Sequence, residues 1–298
     1  MLNGIIVIRK EAGYTSHDVV AKMRGICKQK KIGHTGTLDP QATGVLPVCL
    51  GSGTKLCDML TDKDKEYVAE LRLGVETDTQ DMTGQVLREA EVTATEEQVR
   101  EAVLQFQGDY DQVPPMYSAL KVDGKKLYEL ARAGKEVERK PRRVQILEIE
   151  ILEMKLPVVK MRVHCSKGTY IRTLCADIGS RLGCGGAMQS LVRTKVGQFT
   201  LEKAVTLQEL EAIRDEGKLE NVLYPVDSAF SGCPALTVSK MFEKLVNNGN
   251  PILPVHTVEK KVCAGGEWVR IYREDKSFVG VYAYDEGKER YQPVKMFL

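Results

Sequence analysis

The sequence lacks the cysteine patterns of zinc-binding and disulfide-rich proteins. Its eight cysteines are scattered over 298 residues, with no C-x-x-C pair and no nearby histidine at zinc-ligand spacing. We therefore interpret them as thiols in a reducing cytosol, and we expect no metal site.

The chain also lacks a large net charge. It has 43 Lys and Arg against 41 Asp and Glu, which gives a formal net charge of +2. So small a charge, spread evenly, would not attract a polyanion strongly. A nucleic-acid site must therefore come from local clustering of basic residues.

Motifs for nucleotide cofactors and membrane segments are missing as well. The run Gly51–Lys55 (GSGTK) does not have the G-x-x-x-x-G-K-[ST] order of a phosphate-binding loop, and no G-x-G-x-x-G follows a strand. The apolar run Ile5–Ile8 is too short for a signal peptide or a membrane span. We expect a buried strand there, no cofactor, no membrane contact and a cytoplasmic protein.

The chain does contain a mixture of helix and strand patterns, with enough apolar residues (43%) to bury a core. One helix is predicted over residues 16–28 with Ser16 as its N-cap, and another after the capping box of Thr95 and Gln98. Apolar alternation predicts strands near residues 67–73, 144–154 and 161–165. The predicted fold class is α+β, with a mixed, largely antiparallel sheet flanked by helices.

The last part of the chain has a different character. Gly232 and Pro234 interrupt the pattern, and short strands follow at about 269–273, 278–284 and 291–297. Residues 233–298 are therefore predicted to form a small, mostly β, second domain.

Positive charge is concentrated between Lys121 and Arg143. This segment has nine Lys or Arg against four acids, a local net charge of +5, and Tyr117 and Tyr128 add aromatic rings beside it. It is the leading candidate for contact with phosphates. A solvated surface segment is the alternative, and a charge run alone favours that alternative.

The densest cluster of backbone-shaping residues surrounds Asp39. Residues 33–47 contain three glycines and two prolines, which predict a rigid loop and not a strand or a helix. A carboxylate held on a rigid loop suits a nucleophile or a general base. The alternative is that Asp39 only caps a turn, as Asp often does among Gly and Pro.

Four segments, in order along the chain, resemble the motifs of the TruB-type pseudouridine synthases. They are GHTGTLDPQATGVLPV from Gly33, the strand that begins Lys65-Glu66-Tyr67, PPMYSALKVDGKKLYELAR from Pro114, and CSKGTYIRT from Cys165. Four ordered motifs are very hard to obtain by chance, so the resemblance covers most of the chain before the predicted second domain.

The resemblance implies the pseudouridine synthase fold and an isomerase that breaks the bond between uracil N1 and ribose C1′ and rejoins the base through C5. Asp39 resembles the catalytic carboxylate, and Arg172 the arginine that pairs with it. Tyr67 resembles the tyrosine that stacks on the target base and is a candidate for handling the proton at C5. Attack at C1′ and removal of the proton at C2′ both remain open for Asp39.

Other positions follow from the same resemblance. Tyr170 and Leu191 match pocket positions, His34 matches a histidine that packs against the RNA where the base has left, and Lys55 matches a lysine near the RNA backbone. Tyr170 and Leu191 are equally plausible as core residues, and a lone histidine such as His34 is more often structural.

The implied domains are a catalytic domain (1–230) with a thumb-like RNA-binding insertion (115–143), and a PUA-like RNA-binding domain (233–298). The expected substrate is the uridine at position 55 in the T loop of tRNA, and we expect a monomer that works without a guide RNA. A non-catalytic tRNA-binding protein or tRNA folding chaperone is the alternative. A hydrolase that uses Asp39 as a general base has no partner acid or metal set in the sequence.

Overall fold

The computed structural model describes residues 1–122 and 124–298. Asp123, one of the four acids counted in the basic segment, lies outside the described residues. The strands are β1 (Gly4–Lys10), β2 (Ile32–His34), β3 (Thr43–Leu50), β4 (Lys65–Leu73), β5 (Val75–Thr77), β6 (Val86–Glu89), β7 (Gly108–Gln112), β8 (Lys121–Val122), β9 (Lys125–Lys126), β10 (Arg142–Lys155), β11 (Val158–Cys165), β12 (Gly186–Val196), β13 (Phe199–Thr200), β14 (Ala235–Thr237), β15 (Trp268–Tyr272), β16 (Phe278–Asp285) and β17 (Arg290–Met296). The α-helices are α1 (Ser16–Ile26), α2 (Cys57–Thr61), α3 (Glu96–Leu104), α4 (Leu127–Arg132), α5 (Ile171–Arg181), α6 (Leu207–Asp215) and α7 (Glu243–Asn247).

The described residues form a nine-stranded main sheet in the order β1-β3-β12-β4-β11-β10-β7, with β2 on β3 and β13 on β12. Its strand pairs are antiparallel except for β12 and β3, which run parallel through Val192 and Arg193 beside Thr43 and Gly44. The mixed, largely antiparallel sheet predicted from the sequence is therefore confirmed.

Helices cover the middle of this sheet, where β4 and β11 bury every second residue. Tyr67, Ala69 and Leu71 of β4 share an apolar cluster with Val99 of α3 and Leu174 of α5. The buried face of the strands, which contains every second residue, packs against the apolar faces of α3 and α5 in one layer of side chains.

The predicted helix start is confirmed for α3 and corrected for α1. A capping box begins α3 at Thr95, as its sequence predicts, and another begins α6 at Thr206. The prediction that Ser16 caps α1 was wrong, because Thr15 is the N-cap and forms a capping box with Asp18. Ser16 is instead buried, and its hydroxyl accepts the N–H of Leu38 at 2.9 Å.

The prediction of one rigid loop over residues 33–47 was also wrong in part. Residues 32–34 form β2, the strand β3 begins at Thr43, and only the stretch between them is irregular. Pro47 lies within β3, and its carbonyl accepts the N–H of Thr35, the residue after β2, at 3.2 Å. The short loop that carries Asp39 is thus held at both ends by strands of the main sheet.

The small sheet has the order β14-β15-β16-β17 and follows the region change at Gly232. It has a core of its own, which includes Val269, Ile271 and Tyr291. The small mostly β region predicted at the end of the chain is therefore present. Among the residues that the structure describes, no helix is long and apolar enough to cross a membrane.

The small sheet also shares a core with the main sheet. Val281 and Phe297 belong to the same buried apolar cluster as Ile5 of β1, and Phe230 is part of that cluster. The ring of Phe230 lies 5.9 Å from that of Phe297, centroid to centroid. We call this cluster the inter-sheet core.

Gly44 allows the parallel contact between β3 and β12. Its φ is +105°, and a Cβ added there would lie 2.1 Å from the carbonyl oxygen of Arg193. A side chain at position 44 would therefore meet both backbone strain and a collision with the neighbouring strand.

We predict that Gly44→Ala lowers the free energy of unfolding by roughly 3 kcal/mol or more, measured by urea denaturation followed by circular dichroism. Gly13→Ala is the matched control, because Gly13 also has a positive φ of 85° but has no atom within 4 Å of an added Cβ. This control therefore measures the cost of placing a side chain at a positive φ, without a collision. Equal losses in the two variants would contradict the close approach of the strands.

Candidate active site

Asp39 lies in the short loop between β2 and β3, and this loop is tied to β1 and α1. Gly13 donates its N–H to the carbonyl of Pro40 at 2.9 Å, and Ser16 receives the N–H of Leu38. Ala42 donates back to the carbonyl of Asp39 at 3.1 Å. The backbone on both sides of the carboxylate is thus fixed.

Lys10, at the end of β1, adds a third tie that the sequence did not reveal. Its buried ammonium donates to the carbonyls of Ala42 at 2.6 Å, Pro40 at 2.9 Å and Glu11 at 3.1 Å. Burial lowers the pKa of Lys10 to about 8, against the opposing effect of the Asp39 charge. Lys10 therefore anchors the loop and also brings a positive charge toward Asp39.

Arg172 forms a two-point ion pair with Asp39. Its Nε lies 2.9 Å from Oδ2 and its Nη2 lies 3.2 Å from Oδ1. The Arg172 side chain is 6% exposed, whereas that of Asp39 is 38% exposed. A buried guanidinium thus holds a carboxylate that still faces solvent, in the bidentate geometry that fixes both position and orientation.

The other donors of Arg172 are held by main-chain carbonyls. Nη1 donates to the oxygen of Thr79 at 3.0 Å, and Nη2 donates to the oxygen of Tyr117 at 2.8 Å. These contacts come from two distant loops. They prevent the guanidinium from rotating away from Asp39.

Asp81 is a second acidic residue at this site that sequence reasoning missed. Its Oδ2 lies 3.9 Å from Nε of Arg172, and its Oδ1 accepts from the N–H of Thr83 at 2.9 Å and the hydroxyl of Thr79 at 2.8 Å. The turn-rich stretch ETDTQDMTG was the available signal, because Asp and Thr in such turns bind neighbouring backbone groups. Asp81 organises the loop whose Thr79 carbonyl receives Arg172.

The electrostatic state of Asp39 reflects opposing influences. Burial raises its pKa above the usual value, Arg172 lowers it, Asp81 raises it, and Lys10 lowers it. The net direction is upward. The carboxylate is thus less acidic than one in water, and the two neighbouring cations limit the rise.

Tyr67 and Leu191 lie on adjacent strands beside this loop. Both are buried and share one apolar cluster with Leu38, the residue before Asp39. Burial raises the pKa of Tyr67 to about 12, so its hydroxyl is a neutral phenol at neutral pH. The predicted pocket residues on β4 and β12 are therefore brought together with the loop.

Arg193, two residues after Leu191, was also missed. It is fully buried, lies opposite Tyr67 in the β12–β4 register, and donates to the carbonyls of Val45 at 2.7 Å and Gly36 at 3.3 Å. Among the described residues no ion pair is formed by Arg193, so its charge is met by backbone oxygens and by Tyr67, which opposes the lowering of its pKa by burial.

His34 lies at the start of the Asp39 loop as a neutral side chain. Burial lowers its pKa to about 4, and the neighbouring His17, whose ring centroid is 5.2 Å away, acts in the same direction. Its Nδ1 accepts the N–H of Gly36 at 3.3 Å. An uncharged ring of this kind can pack against an apolar or aromatic surface, but it does not supply a cation.

Lys55 is not part of this group. It lies beyond the far end of β3, roughly 20 Å along the strand from the Asp39 loop at about 3.3 Å per residue. Its ammonium donates to the carbonyls of Met296 at 3.0 Å and Leu298 at 3.2 Å. Lys55 thus lies where the main and small sheets meet.

Tyr170 is half-buried at the N-cap of α5, two residues before Arg172. Burial raises the pKa of its hydroxyl, and Arg172 opposes that rise. The arrangement as a whole presents one ionisable carboxylate on a rigid loop, paired with a fixed arginine and bordered by Tyr67, Tyr170 and Leu191. Chemically it can provide a nucleophile or a base to a planar, partly apolar substrate.

Comparison with known proteins gives consistent matches along the chain. Residues 24–171 match the model of the N-terminal domain of the TruB family pseudouridylate synthases, and residues 172–231 match that of the tRNA pseudouridylate synthase B C-terminal domain. The matched ranges end before the small sheet begins.

Two curated relatives are both called tRNA pseudouridine synthase B. The one from Lachnoclostridium phytofermentans is 55% identical over 100% of both chains, and the one from Alkaliphilus oremlandii is 50% identical over 94% of this chain and 92% of its own. A solved structure of an H/ACA RNP bound to a substrate RNA containing 2′-deoxyuridine has a chain that is 25% identical, with a TM-score of 0.74. That match covers 99% of this chain and 85% of the other.

The charges around Asp39 predict shifts of its pKa in opposite directions for different variants. We expect Asp81→Asn to lower the pKa of Asp39, and Arg172→Met and Lys10→Met to raise it, with the larger rise in the arginine variant because its charge is in direct contact. The pKa is measured from the carboxyl ¹³C shift of Asp39 in a pH titration. A rise in the Asp81→Asn variant would contradict this account of the site.

Proposed function

Because this chain belongs to the TruB family of pseudouridine synthases, we propose that Asp39 is the carboxylate with which it converts the uridine at position 55, in the T loop of tRNA, to pseudouridine. The observation that carries this proposal is the two-point ion pair of Asp39 with the buried Arg172. The curated relatives that match the whole chain are named as tRNA pseudouridine synthases, which supports tRNA as the substrate.

The reaction is an isomerisation, so the atomic composition of the substrate does not change. The bond between N1 and C1′ breaks, the base turns, a bond between C5 and C1′ forms, and the proton on C5 is lost while N1 gains one. Asp39 begins this sequence either by attack at C1′ or by removal of the proton at C2′. Both routes need the ionised carboxylate, which Arg172 and Lys10 favour against the effect of burial.

We propose that Tyr67, Tyr170 and Leu191 surround the target base and its ribose. Tyr67 would stack on the uracil, and because burial keeps its hydroxyl protonated, it can take up the C5 proton only if it passes its own proton on. Arg193 lies beside Tyr67 and would offset negative charge that develops on the oxygen during such a transfer.

The target uridine must leave the stack of the T loop before Asp39 can reach its sugar. Extruding a base costs a few kcal/mol, which contacts with the protein must offset. We propose that the neutral ring of His34 packs against the RNA where the base has left. Its low pKa favours this stacking role over a phosphate contact.

The insertion at residues 115–143 is the proposed RNA-binding thumb. In its two-stranded hairpin, Lys121 of β8 lies directly opposite Lys126 of β9. Like charges placed directly opposite each other destabilise a hairpin unless an anion lies between them. A phosphate of the tRNA backbone would turn this repulsion into a favourable contact.

We further propose that residues 1–230 form the catalytic domain and residues 233–298 a PUA-like RNA-binding domain. The separate four-stranded sheet supports this division. Lys55, whose ammonium contacts the carbonyls of Met296 and Leu298, would then offer a phosphate contact at the junction of the two.

We propose that the enzyme acts as a cytoplasmic monomer without a guide RNA. All the side chains proposed for the site come from one chain, and the relatives that match its full length are named as tRNA enzymes, whereas the H/ACA RNP chain extends beyond the region that it shares with this protein. A tRNA folding chaperone that binds without turnover remains the second candidate. A pure binder has no use for a buried arginine that orients a carboxylate toward a polyanion.

The first test is Asp39→Asn, assayed by tritium release from uracil C5 of an unmodified tRNA transcript. We expect no detectable release, with tRNA affinity within roughly tenfold of wild type, because the lost charge is not a phosphate contact. A transcript with cytidine at position 55 should release nothing with either protein.

Asp227→Asn is the matched control for this test. Asp227 is a half-buried carboxylate that accepts from the hydroxyl of Tyr272 at 2.6 Å, away from the Asp39 loop. It should leave tritium release intact. Intact tRNA binding by wild type without any release would instead favour the chaperone.

A second test concerns the thumb. We expect Lys121→Ala to weaken tRNA binding and to reduce the slope of log K against log salt by roughly 0.7–0.9, the share of one phosphate contact. Arg143→Ala is the control, because Arg143 is already paired with Asp109 at 3.0 Å and Asp111 at 3.2 Å. Filter binding at several salt concentrations measures the affinity and the slope for each variant. Equal slopes for Lys121→Ala and wild type would exclude this contact.

A further inference from the structure

Gln112 makes a contact that none of the roles above accounts for. It is the last residue of β7, it is 1% exposed, and both ends of its amide bind the backbone of Tyr170. Its Oε1 accepts the N–H of Tyr170 at 2.8 Å, and its Nε2 donates to the carbonyl of Tyr170 at 2.9 Å. A buried amide that satisfies both polar groups of one distant residue fixes that residue in two directions.

This contact occurs where α5 needs support. Tyr170 is the N-cap of α5, yet its side chain makes no capping hydrogen bond, and its carbonyl already accepts the first helical bond from Leu174 at 3.1 Å. The amide of Gln112 therefore gives the Tyr170 backbone the acceptor and the donor that a neighbouring β-strand would otherwise provide. Arg172 follows two residues later, in the first turn of the same helix.

The segment that follows Gln112 makes a second contact, this time with Arg172 itself. Five residues on, the carbonyl of Tyr117 accepts from Nη2 of Arg172, the nitrogen that also binds Oδ1 of Asp39. The segment 112–117 thus holds the start of α5 at its backbone and the guanidinium at its tip. Of these two contacts, only the one from Gln112 is made by a side chain. It is therefore the one that a substitution can test.

We propose that Gln112 is a positioning residue for the reaction, which sets the orientation of Arg172 toward Asp39 by clamping the backbone of Tyr170. This inference rests on the roles proposed above for Asp39 and Arg172. Gln112 does not touch the substrate in this proposal. It acts only through the helix start, and it also links the base of the thumb-like insertion to the arginine.

The size of the expected effect follows from geometry. A bidentate pair tolerates little misalignment, and a shift of about 1 Å in a catalytic group can cost about 100-fold in rate. Loosening of Tyr170 would shift the first turn of α5 and lengthen the contacts between Arg172 and Asp39. Binding of tRNA would change little, because the phosphate contacts proposed for the thumb lie elsewhere.

The test compares Gln112→Met with Gln29→Met. Methionine keeps the unbranched shape of glutamine but neither donates nor accepts as an amide does. Gln29 is the matched control because its buried amide makes the same two-point bridge to another backbone, accepting from the N–H of Leu2 at 2.9 Å and donating to its carbonyl at 3.1 Å. Both variants lose one such bridge, but only one loses it beside Arg172.

The readouts are single-turnover tritium release, tRNA affinity, melting temperature and the pH dependence of the rate. We expect Gln112→Met to lower the rate constant about 10- to 100-fold with tRNA affinity within about threefold, whereas Gln29→Met keeps the wild-type rate. The two variants should have similar melting temperatures.

The pH profile separates positioning from simple loss of folded protein. The charged and titratable groups that face Asp39 are Arg172 on α5, Asp81 in the loop after β5, Lys10 at the end of β1, and the phenols of Tyr67 and Tyr170. Arg172 is the strongest of the influences that lower the pKa of Asp39. A weaker ion pair therefore raises that pKa. Activity needs the ionised form, so as the pH is lowered the Gln112→Met variant should lose activity at a higher pH than the wild type does.

The outcomes are distinct. A slow Gln112→Met enzyme whose acidic limb has moved to higher pH supports the inference. A rate equal to that of Gln29→Met, or a slow enzyme with an unmoved limb, overturns it and leaves Gln112 a structural residue.

Tritium release by Asp39→Asn, run in parallel, would instead mean that the proposed function has failed. If circular dichroism shows that Gln112→Met does not fold, Gln112→Asn is judged by the same criteria, since its shorter amide cannot reach both groups of Tyr170.

Discussion

The ion pair of Asp39 with the buried Arg172 is the interaction on which the rest of this site depends. Burial raises the pKa of Asp39, and the guanidinium of Arg172 opposes that rise. Arg172 would be costly to bury on its own, and the carbonyls of Thr79 and Tyr117 offset that cost. The ion pair therefore depends on contacts from two loops that lie outside both α5 and the Asp39 loop.

The sheet topology brings the members of this network together from distant parts of the chain. Lys10 ends the edge strand β1, Asp39 precedes β3, Arg193 lies on β12, and Arg172 begins the helix before β12. The parallel contact of β3 with β12 at Gly44 brings the Asp39 loop beside Arg193. Buried cations thus bind the loop backbone from both sides, which keeps it rigid without any regular secondary structure of its own.

The sequence predicted what short-range patterns encode. Strand alternation around Tyr67, the capping box at Thr95 and the fold class were confirmed, since each depends on residues close together in the chain. The strand β12 was not predicted, because Ser190 and the buried Arg193 interrupt its apolar pattern. Arg193, like Lys10 and Gln112, binds backbone atoms, and a backbone partner leaves no residue pattern that sequence reasoning could use. The pairing of Asp39 with Arg172 was expected only through family resemblance, because 132 residues of chain separate the two positions and no local rule links them.

The inter-sheet core has a consequence for how the protein meets a large substrate. Because Phe297 and Val281 of the small sheet pack in the same apolar cluster as Ile5 of β1, the two sheets cannot swing apart without exposing that cluster to water. The spacing between the Asp39 loop and the outer surface of the small sheet is therefore nearly constant. In the function proposed above, an RNA that contacts both parts would have to span this fixed distance for its uridine to reach Asp39.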